Sequence, residues 1–121
     1  MKLRVARHTV NIEKIKSFYV EFLGMEVLGE FQGHDGYDGI FIGLPEKDWH
    51  LEFTISEHPP ELKSDEDDLL VFYTKNPDQF KSILERAHNL GIDELKSRNP
   101  YWNLKGKTYQ DPDGFKIVVA K

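Results

Sequence analysis

The chain has 121 residues, of which 39% are hydrophobic and 31% are charged, and its formal net charge is −5. This balance is typical of one globular domain, and no apolar run approaches the roughly 20 residues that a membrane span needs. The acidic charge argues against a nucleic-acid partner, and the absence of cysteine excludes disulfides and thiol chemistry. Charged residues occupy the start, where a signal peptide would carry its apolar segment, so we expect a cytoplasmic protein without a membrane partner.

The first half of the chain predicts a strand, a helix and three further strands. Leu3–Thr9 alternates as a strand does, and Asn11 is placed to cap a helix whose apolar residues recur at helical spacing up to Gly24. Residues 33–39 are rich in Gly and Asp and are expected to form a loop. No helix start follows them, so they are not a phosphate cradle, and we expect a turn with His34 and Tyr37 at the rim of the cleft. The three further strands are predicted at Met25–Phe31, Ile40–Leu44 and His50–Ile55.

The same pattern restarts after a polar connector, residues 56–68, which contains paired prolines and an acidic run. Leu69–Thr74 is a predicted strand, and Asn76 followed by Pro77 predicts the start of a second helix that ends at Gly91. Three more strands are expected at Ile92–Lys96, Lys107–Gln110 and Phe115–Ala120. We therefore interpret residues 1–55 and 69–121 as two copies of one strand-helix-three-strand module within a single domain.

The closing hairpin carries the most distinctive local motif. In Asp111-Pro112-Asp113-Gly114, the first Asp can bond its own downstream backbone, Pro pre-sets φ, and Gly supplies the positive φ that tight turns often require. The β-branched and aromatic residues on both sides predict two strands joined by this turn.

These motifs together resemble the vicinal oxygen chelate superfamily, which includes glyoxalase I, extradiol dioxygenases and bleomycin-resistance proteins. The resemblance covers the whole chain, and it implies an α+β fold in which two tandem βαβββ modules form a curved eight-stranded mixed sheet around a cleft. The resemblance rests on four segments: Phe18-Tyr19, Leu23-Gly24-Met25, His50-Leu51-Glu52-Phe53 and Asp111-Pro112-Asp113-Gly114-Phe115. A narrower and largely uncharacterised group of this superfamily shares two more strings, His34-Asp35-Gly36-Tyr37-Asp38-Gly39 and Asn99-Pro100-Tyr101-Trp102.

Metal-using members of that superfamily hold a metal with a His on the first strand and a Glu on the last strand of each half. The resemblance places these positions on Arg4, Glu52, Leu69 and Val118. Only Glu52 is retained, and a cation with two aliphatic side chains leaves too few donors, so no cofactor is favoured. We predict instead that Arg4 forms an ion pair with Glu52 at the floor of the cleft, either for ligand binding or merely to hold two strands together.

A relocated site for a divalent metal is the alternative. His8 shares the strand face of Arg4, and His50 shares that of Glu52 about 7 Å along the strand. His8, His50 and Glu52 would then offer three ligands and one open position. A histidine at a strand end is more often a hydrogen-bonding residue, and His58 and His88 are expected to face solvent.

The remaining candidate contacts are aromatic. Tyr101 and Trp102 lie in a segment of low regularity, where they would wall the cleft over a flat ligand; Trp102 could equally pack on a sheet edge or in a dimer contact. Tyr73 shares the cleft-facing parity of Leu69. No serine lies in a nucleophile elbow, whereas acid–base chemistry by Glu52, Tyr73 or His50 stays open, so no catalytic residue is assigned.

Two function classes are compatible with these residues. The favoured one is a metal-free protein that binds a small organic molecule in the cleft, as the resemblance to bleomycin-resistance proteins implies. The other is a metal-dependent lyase, isomerase or dioxygenase with the relocated metal site, so whether the chain is an enzyme stays open. The resemblance also implies a homodimer. The predicted cleft residues are Arg4, His8, His50, Glu52, Tyr73, Tyr101 and Trp102.

Overall fold

The computed structural model describes all 121 residues, and the chain divides into two compact units, Met1–Leu62 and Lys63–Lys121. Each unit combines helices with a mixed sheet, which confirms the predicted α+β class. No helix of the chain is long and apolar enough to cross a membrane.

The first unit contains the predicted strand-helix-three-strand module in full. Its strands are hydrogen-bonded in the order β1-β4-β3-β2; β1 runs parallel to β4, and the other neighbours are antiparallel. The elements are β1 (Leu3–His8), α1 (Ile12–Ser17), β2 (Glu26–His34), β3 (Tyr37–Gly43) and β4 (Trp49–Ile55).

The start of α1 follows the predicted capping. The Asn11 side chain accepts a hydrogen bond from the Lys14 backbone N–H at 3.0 Å, which satisfies a donor that the first turn leaves open. The helix continues as a π-helical turn, Phe18–Phe22, and the chain leaves it at Gly24, whose φ is 77°. Only glycine adopts that left-handed conformation without steric cost, so the predicted exit is confirmed.

The packing of α1 decides which face of the first sheet is covered. The Tyr19 ring, fully buried, lies 5.1 Å from the ring of Phe53 on β4. Leu51 and Phe53 are both buried, whereas the alternate residues of the same strand are partly exposed. Because successive side chains of a strand point to opposite faces, the even-numbered residues of β4 lie on the face away from α1.

Residues 33–39 form a tight hairpin turn, which agrees with the predicted turn, but strands β2 and β3 extend further into this segment than expected. His34 and Tyr37 are paired, and only Asp35 and Gly36 lie between the strands. Both turn residues have positive φ, 51° and 85°, as in the two-residue turns that match the twist of a hairpin. The glycines that suggested a loop also occur inside strands, where they let a neighbouring side chain approach the backbone.

The second unit repeats the module with one strand fewer. Its three-stranded sheet has the order β5-β7-β6, and β5 runs parallel to β7 as β1 does to β4. Asn76 caps the long helix by accepting from the Gln79 N–H at 2.8 Å, with Pro77 at the first helical position as predicted. The elements are β5 (Leu69–Tyr73), α2 (Pro77–Asn89), α3 (Pro100–Lys105), β6 (Gly106–Gln110) and β7 (Lys116–Ala120).

Two predictions for the second half were wrong. The strand expected at Ile92–Lys96 is reduced to an isolated bridge between Leu95 and Thr108, so seven strands form where eight were expected. The segment of low regularity around residue 100 is the helix α3. The Asn103 side chain of α3 bonds both the N–H and the C=O of Ser97, at 2.9 and 3.0 Å, and so satisfies the backbone of the residue between the bridge segment and α3.

The closing turn forms as predicted. One oxygen of the Asp111 carboxylate accepts from the backbone N–H of Asp113 at 2.9 Å and from that of Phe115 at 3.1 Å. Gly114 has a φ of 91°, which explains why glycine stands there. This turn sets the register that delivers Val118 to the middle of β7, where it is fully buried.

Candidate functional site

The face of the first sheet that α1 leaves uncovered collects most of the polar candidates. Along β1 and β4, adjacent pairs on this face are Arg4 with His50 and His8 with Thr54. On β3 the partner of Glu52 is Phe41, and on β2 the partner of Gly39 is Phe31, so both rings share the face. We call this surface the open face, defined by Arg4, His8, Phe31, Gly39, Phe41, Gly43, His50, Glu52 and Thr54.

Three charged or polar side chains of the open face interact directly. The Arg4 Nε donates a hydrogen bond to His50 Nε2 at 2.9 Å, and Arg4 Nη1 lies 3.6 Å from Glu52 Oε2. The guanidinium carbon also lies 4.8 Å from the centre of the Phe41 ring, within the range of a cation–π contact. The Arg4 side chain is 50% exposed and that of Glu52 is 14% exposed. We call Arg4, His50 and Glu52 the Arg4 cluster.

The predicted ion pair between Arg4 and Glu52 is present, but not as two parallel hydrogen bonds. The separation of 3.6 Å is too long for a hydrogen bond, and Nε is already committed to His50. The register explains this arrangement, since Arg4 lies beside His50 whereas Glu52 lies beside Ala6. The guanidinium therefore meets the imidazole directly and the carboxylate only along the diagonal.

The hydrogen bond from Arg4 determines the protonation of His50. An arginine Nε–H can only donate, so His50 Nε2 accepts and the proton of the neutral ring resides on Nδ1. Burial lowers the pKa of His50 from 6.5, the charges of Arg4 and Lys2 lower it further, and Glu52 acts in the opposite direction. His50 is consequently neutral at pH 7 and presents one N–H donor.

Two phenylalanines form an apolar surface next to the Arg4 cluster. The ring centre of Phe41 lies 5.7 Å from that of Phe31 and 5.9 Å from that of His50. A Cβ at Gly39 would collide with the Phe31 ring, so this glycine allows the ring to lie directly on the backbone of β3. We call Phe31 and Phe41 the aromatic floor. Both are absent from the residues that the sequence predicts for the site, although the two glycines that flank Ile40-Phe41-Ile42 are a usable signal.

His8 lies at the far end of the open face and is fully used in holding the connector. Its Nε2 lies 2.9 Å from the carbonyl oxygen of His58, so Nε2 donates, and Nδ1 accepts from the Thr54 hydroxyl at 2.8 Å. The Tyr37 ring packs edge-on against it at 5.8 Å. The sequence analysis placed His8 on the correct face of the sheet. Its ring nitrogens are hydrogen-bonded to Thr54 and to the connector, so its observed role is structural.

The proposed relocated metal set does not assemble. His8 is paired with Thr54, four residues along from the pair of Arg4 and His50, which corresponds to about 13 Å of strand. No group of three or more His, Cys, Asp or Glu side chains that could hold a metal ion is found in the chain. His8, His50 and Glu52 share a face, but strand parity specifies only the face and not the separation along it.

The positions of the superfamily metal ligands also lack suitable donors. Glu52 pairs with Ala6, two residues after Arg4, and Val118 pairs with Val71, two residues after Leu69. The same diagonal is thus occupied by Arg4 and Glu52 in the first sheet and by Leu69 and Val118 in the second. Arg4 is a cation whose Nε is already hydrogen-bonded, and Leu69 and Val118 have no donor atoms. These three side chains therefore cannot ligate the usual metal.

The other candidates lie in the second unit. The Tyr73 residue is 70% exposed at the end of β5, and Tyr101 is 52% exposed on α3. Trp102 is partly buried and packs edge-on against Tyr101 at 4.9 Å. Their role in ligand binding stays a prediction. His58 and His88 are exposed, as expected.

Comparison with known families and structures agrees with this fold. Residues 3–54 match the family described as the YycE-like N-terminal domain, and residues 67–121 match the YycE-like C-terminal domain. The chain is 42% identical over 125 residues to the protein YycE of Bacillus subtilis, covering 97% of this chain and 85% of that protein. The crystal structure of a YycE protein from Bacillus subtilis superimposes with a TM-score of 0.88 at 41% identity, over 98% of this chain and 88% of that one.

More distant structures share the fold. Glyoxalase I of Leishmania major, a trypanothione-dependent enzyme, gives a TM-score of 0.77 at 19% identity and covers all of this chain and 86% of its own. TnmS3, an antibiotic-binding protein of Streptomyces sp. CB03234, gives 0.70 at 22% identity, over 99% and 93% of the two chains. The resemblance to the glyoxalase and bleomycin-resistance proteins is therefore confirmed at the level of the fold.

Proposed function

This chain belongs to the YycE-like family within the vicinal oxygen chelate superfamily, and we propose that it binds a small organic molecule on the open face of its first sheet without a metal ion. The observation that carries the proposal is the Arg4 cluster. Arg4 stands at a position of a superfamily metal ligand and bonds the neighbouring His50, while its charge lies near Glu52. The groups available to a ligand at this position are therefore those of the side chains Arg4, His50 and Glu52.

The composition of the open face supports ligand binding over a purely structural role. An ion pair that joins two strands stabilises them appreciably only where it is shielded from water and well hydrogen-bonded, since an exposed pair contributes about 0–1 kcal/mol. Arg4 is instead half exposed, and apart from the bond at Nε its guanidinium has no hydrogen-bond acceptor in the chain. An exposed cation beside two partly exposed aromatic rings is a combination that organic ligands commonly use.

The relatives are compatible with either binding or catalysis. TnmS3 is described as an antibiotic-binding protein, and the Leishmania protein is an enzyme, on the same fold. A metal-dependent lyase, isomerase or dioxygenase has less support here, because His8 is engaged by the connector and lies far along the strand from His50. Binding is therefore the function we propose.

The test combines metal analysis with a ligand screen. Protein purified without chelator is assayed for zinc, nickel, iron and manganese, and is then screened by thermal shift against aromatic compounds, anions and glutathione adducts. We expect stabilisation by at least one compound with no added metal, since a ligand that binds only the folded state raises its stability. Stoichiometric bound metal, or stabilisation that requires a divalent cation, would contradict the proposal.

A matched pair of variants locates the binding surface. Arg4→Ala should abolish the thermal shift caused by the ligand, because it removes the cation of the Arg4 cluster. Lys81→Ala removes an exposed cation from α2 in the second unit and should leave the shift unchanged. Equal behaviour of the two variants would show that Arg4 has only a structural role.

We also propose that the protein is a homodimer in the cytoplasm. The support is its superfamily, whose members commonly pair, together with the lack of cysteine. Light scattering coupled to gel filtration should give twice the mass of the chain, and a monomeric mass at micromolar concentration would refute the dimer.

A further inference from the structure

We propose that the open face recognises an aromatic carboxylate, with Arg4 binding the carboxylate and the aromatic floor binding the ring. This inference rests on the proposed function and names the chemical class of its ligand. It follows from three features of the first unit, namely the donors of the Arg4 cluster, its charge balance and the position of the rings.

Arg4 offers the donors that a carboxylate requires. A guanidinium has five N–H groups in a planar fork, and in Arg4 only the one at Nε is hydrogen-bonded. The N–H groups on Nη1 and Nη2 have no hydrogen-bond acceptor in the chain, since the separation of 3.6 Å from Glu52 is too long for a hydrogen bond. Two parallel N–H donors match the two oxygens of a carboxylate, and this geometry is specific as well as strong.

The hydrogen bond to His50 holds this fork in place. An arginine side chain normally loses considerable rotamer freedom on binding, which reduces the affinity that its hydrogen bonds provide. Here the Nε–H is fixed by His50 at 2.9 Å and the guanidinium rests on Phe41 at 4.8 Å. The remaining donors are therefore positioned before a ligand arrives. Because Nε2 of His50 is an acceptor, the ring also carries a donor at Nδ1.

The charge balance favours a single negative charge on the ligand. Arg4 and Lys2 both lower the pKa of His50, so two cations act on this region against the one carboxylate of Glu52. One ligand carboxylate would complete the neutralisation. A second carboxylate would be repelled by Glu52, whose side chain is only 14% exposed and is thus poorly screened by water. The site should accordingly prefer a monoanion to a dianion.

The aromatic floor specifies the rest of the ligand. Phe41 lies directly below the guanidinium, and Phe31 continues the apolar surface with a centre-to-centre distance of 5.7 Å. The rings are partly exposed, and the absence of a side chain at Gly39 keeps Phe31 close to the sheet. A planar ring attached to the carboxylate can contact both phenylalanines while its oxygens bond Arg4. An aliphatic acid such as acetate would leave the floor uncovered.

The experiment measures the affinity of the full chain for 2-naphthoate, its neutral isostere 2-naphthamide, acetate and 2,6-naphthalenedicarboxylate, by calorimetry and by chemical-shift titration. We expect 2-naphthoate to bind about tenfold or more tightly than 2-naphthamide and acetate, because a charged bidentate hydrogen bond and the ring contact each contribute at least that factor. It should also bind more tightly than 2,6-naphthalenedicarboxylate, because Glu52 repels the second carboxylate. Arg4→Lys keeps the cation but removes the fork, and should weaken naphthoate binding without unfolding the protein. Glu52→Gln should strengthen it, and Lys81→Ala should leave it unchanged.

The outcomes separate this inference from the proposed function. If 2-naphthamide binds as tightly as 2-naphthoate, or if Arg4→Lys and Lys81→Ala behave alike toward naphthoate, the carboxylate specificity is refuted while ligand binding stands. If naphthoate and every compound of the thermal-shift screen fail to bind, both are refuted. If acetate binds as tightly as naphthoate, the aromatic part of the inference is overturned.

Discussion

The two halves of the chain carry the same strand register with opposite chemistry. In the first sheet the diagonal between the first and last strands holds Arg4 and Glu52, and both are in contact with solvent. In the second sheet the same diagonal holds Leu69 and Val118, and Val118 is fully buried. The duplicated fold therefore keeps its geometry when its side chains change. The first half presents a cation and a carboxylate at these positions, whereas both positions in the second half are aliphatic and Val118 belongs to the core.

The largest expected change in the free energy of unfolding comes from substituting the last-strand residue of each diagonal, Val118 or Glu52. Val118→Glu places a carboxylate in a fully buried position with no partner and should lower the free energy of unfolding by about 3 kcal/mol or more. Glu52→Val at the equivalent place removes a partly exposed carboxylate and should change it by less than about 1 kcal/mol. Urea denaturation of the two variants measures both values. Similar losses in the two variants would contradict the difference in burial between the two diagonals.

A smaller loss of stability is expected from substitutions at Asn103 of α3. Asn103→Ala leaves the N–H and C=O of Ser97 without their partners and should lower the free energy of unfolding by about 1–3 kcal/mol. Asn103→Asp keeps an acceptor for the N–H but places a carboxylate oxygen against the Ser97 C=O, so its loss should be at least as large. Chemical denaturation gives both values, and hydrogen exchange at the Ser97 amide reports the local opening. Unchanged exchange in Asn103→Ala would show that α3 does not hold this segment.

The smallest expected effect is a pH dependence confined to the first half. The pKa of His50 is lowered in the folded chain relative to its ordinary 6.5. At pH values between the folded and the unfolded pKa of His50, the unfolded chain therefore binds more protons than the folded chain. The free energy of unfolding should therefore decrease as the pH falls below about 6.5, and the full contribution should be present above that pH. His50→Gln should remove this part of the slope, whereas His88→Gln, at an exposed position of α2, should retain it. Denaturation series from pH 5 to 8 provide the measurement, and an identical slope in both variants would contradict the assignment.

Local signals accounted for the parts of the fold that were predicted correctly. Asn11 and Asn76 cap helices as expected, and Asp111 closes its turn through its own backbone neighbours, because these interactions span only a few residues. The failure at Ile92–Lys96 has a different origin. Its residues allow a strand, but only Leu95 pairs with Thr108 of β6, and pairing between segments that are distant in the sequence is not specified by the local pattern.

The candidate site shows the same division between local and long-range information. The face on which Arg4, His8, His50 and Glu52 lie was predictable, because strand parity depends only on position along the chain. The hydrogen-bond partner of Arg4 could not be predicted, because the choice between His50 and Glu52 depends on the register of β1 against β4. Phe31 and Phe41 were not predicted either, because their place beside the Arg4 cluster requires the pairing of β2, β3 and β4.

The sequence by itself thus determined the strand-helix-three-strand module of the first half and the capping and turn residues of both halves, each of which is encoded by residue identity and spacing. The tertiary structure alone decided that Arg4 donates to His50, that His8 holds the connector and that two phenylalanines complete the open face. The physical reason is that hydrogen bonds and ring contacts between strands depend on register, and register is established only when the sheet forms.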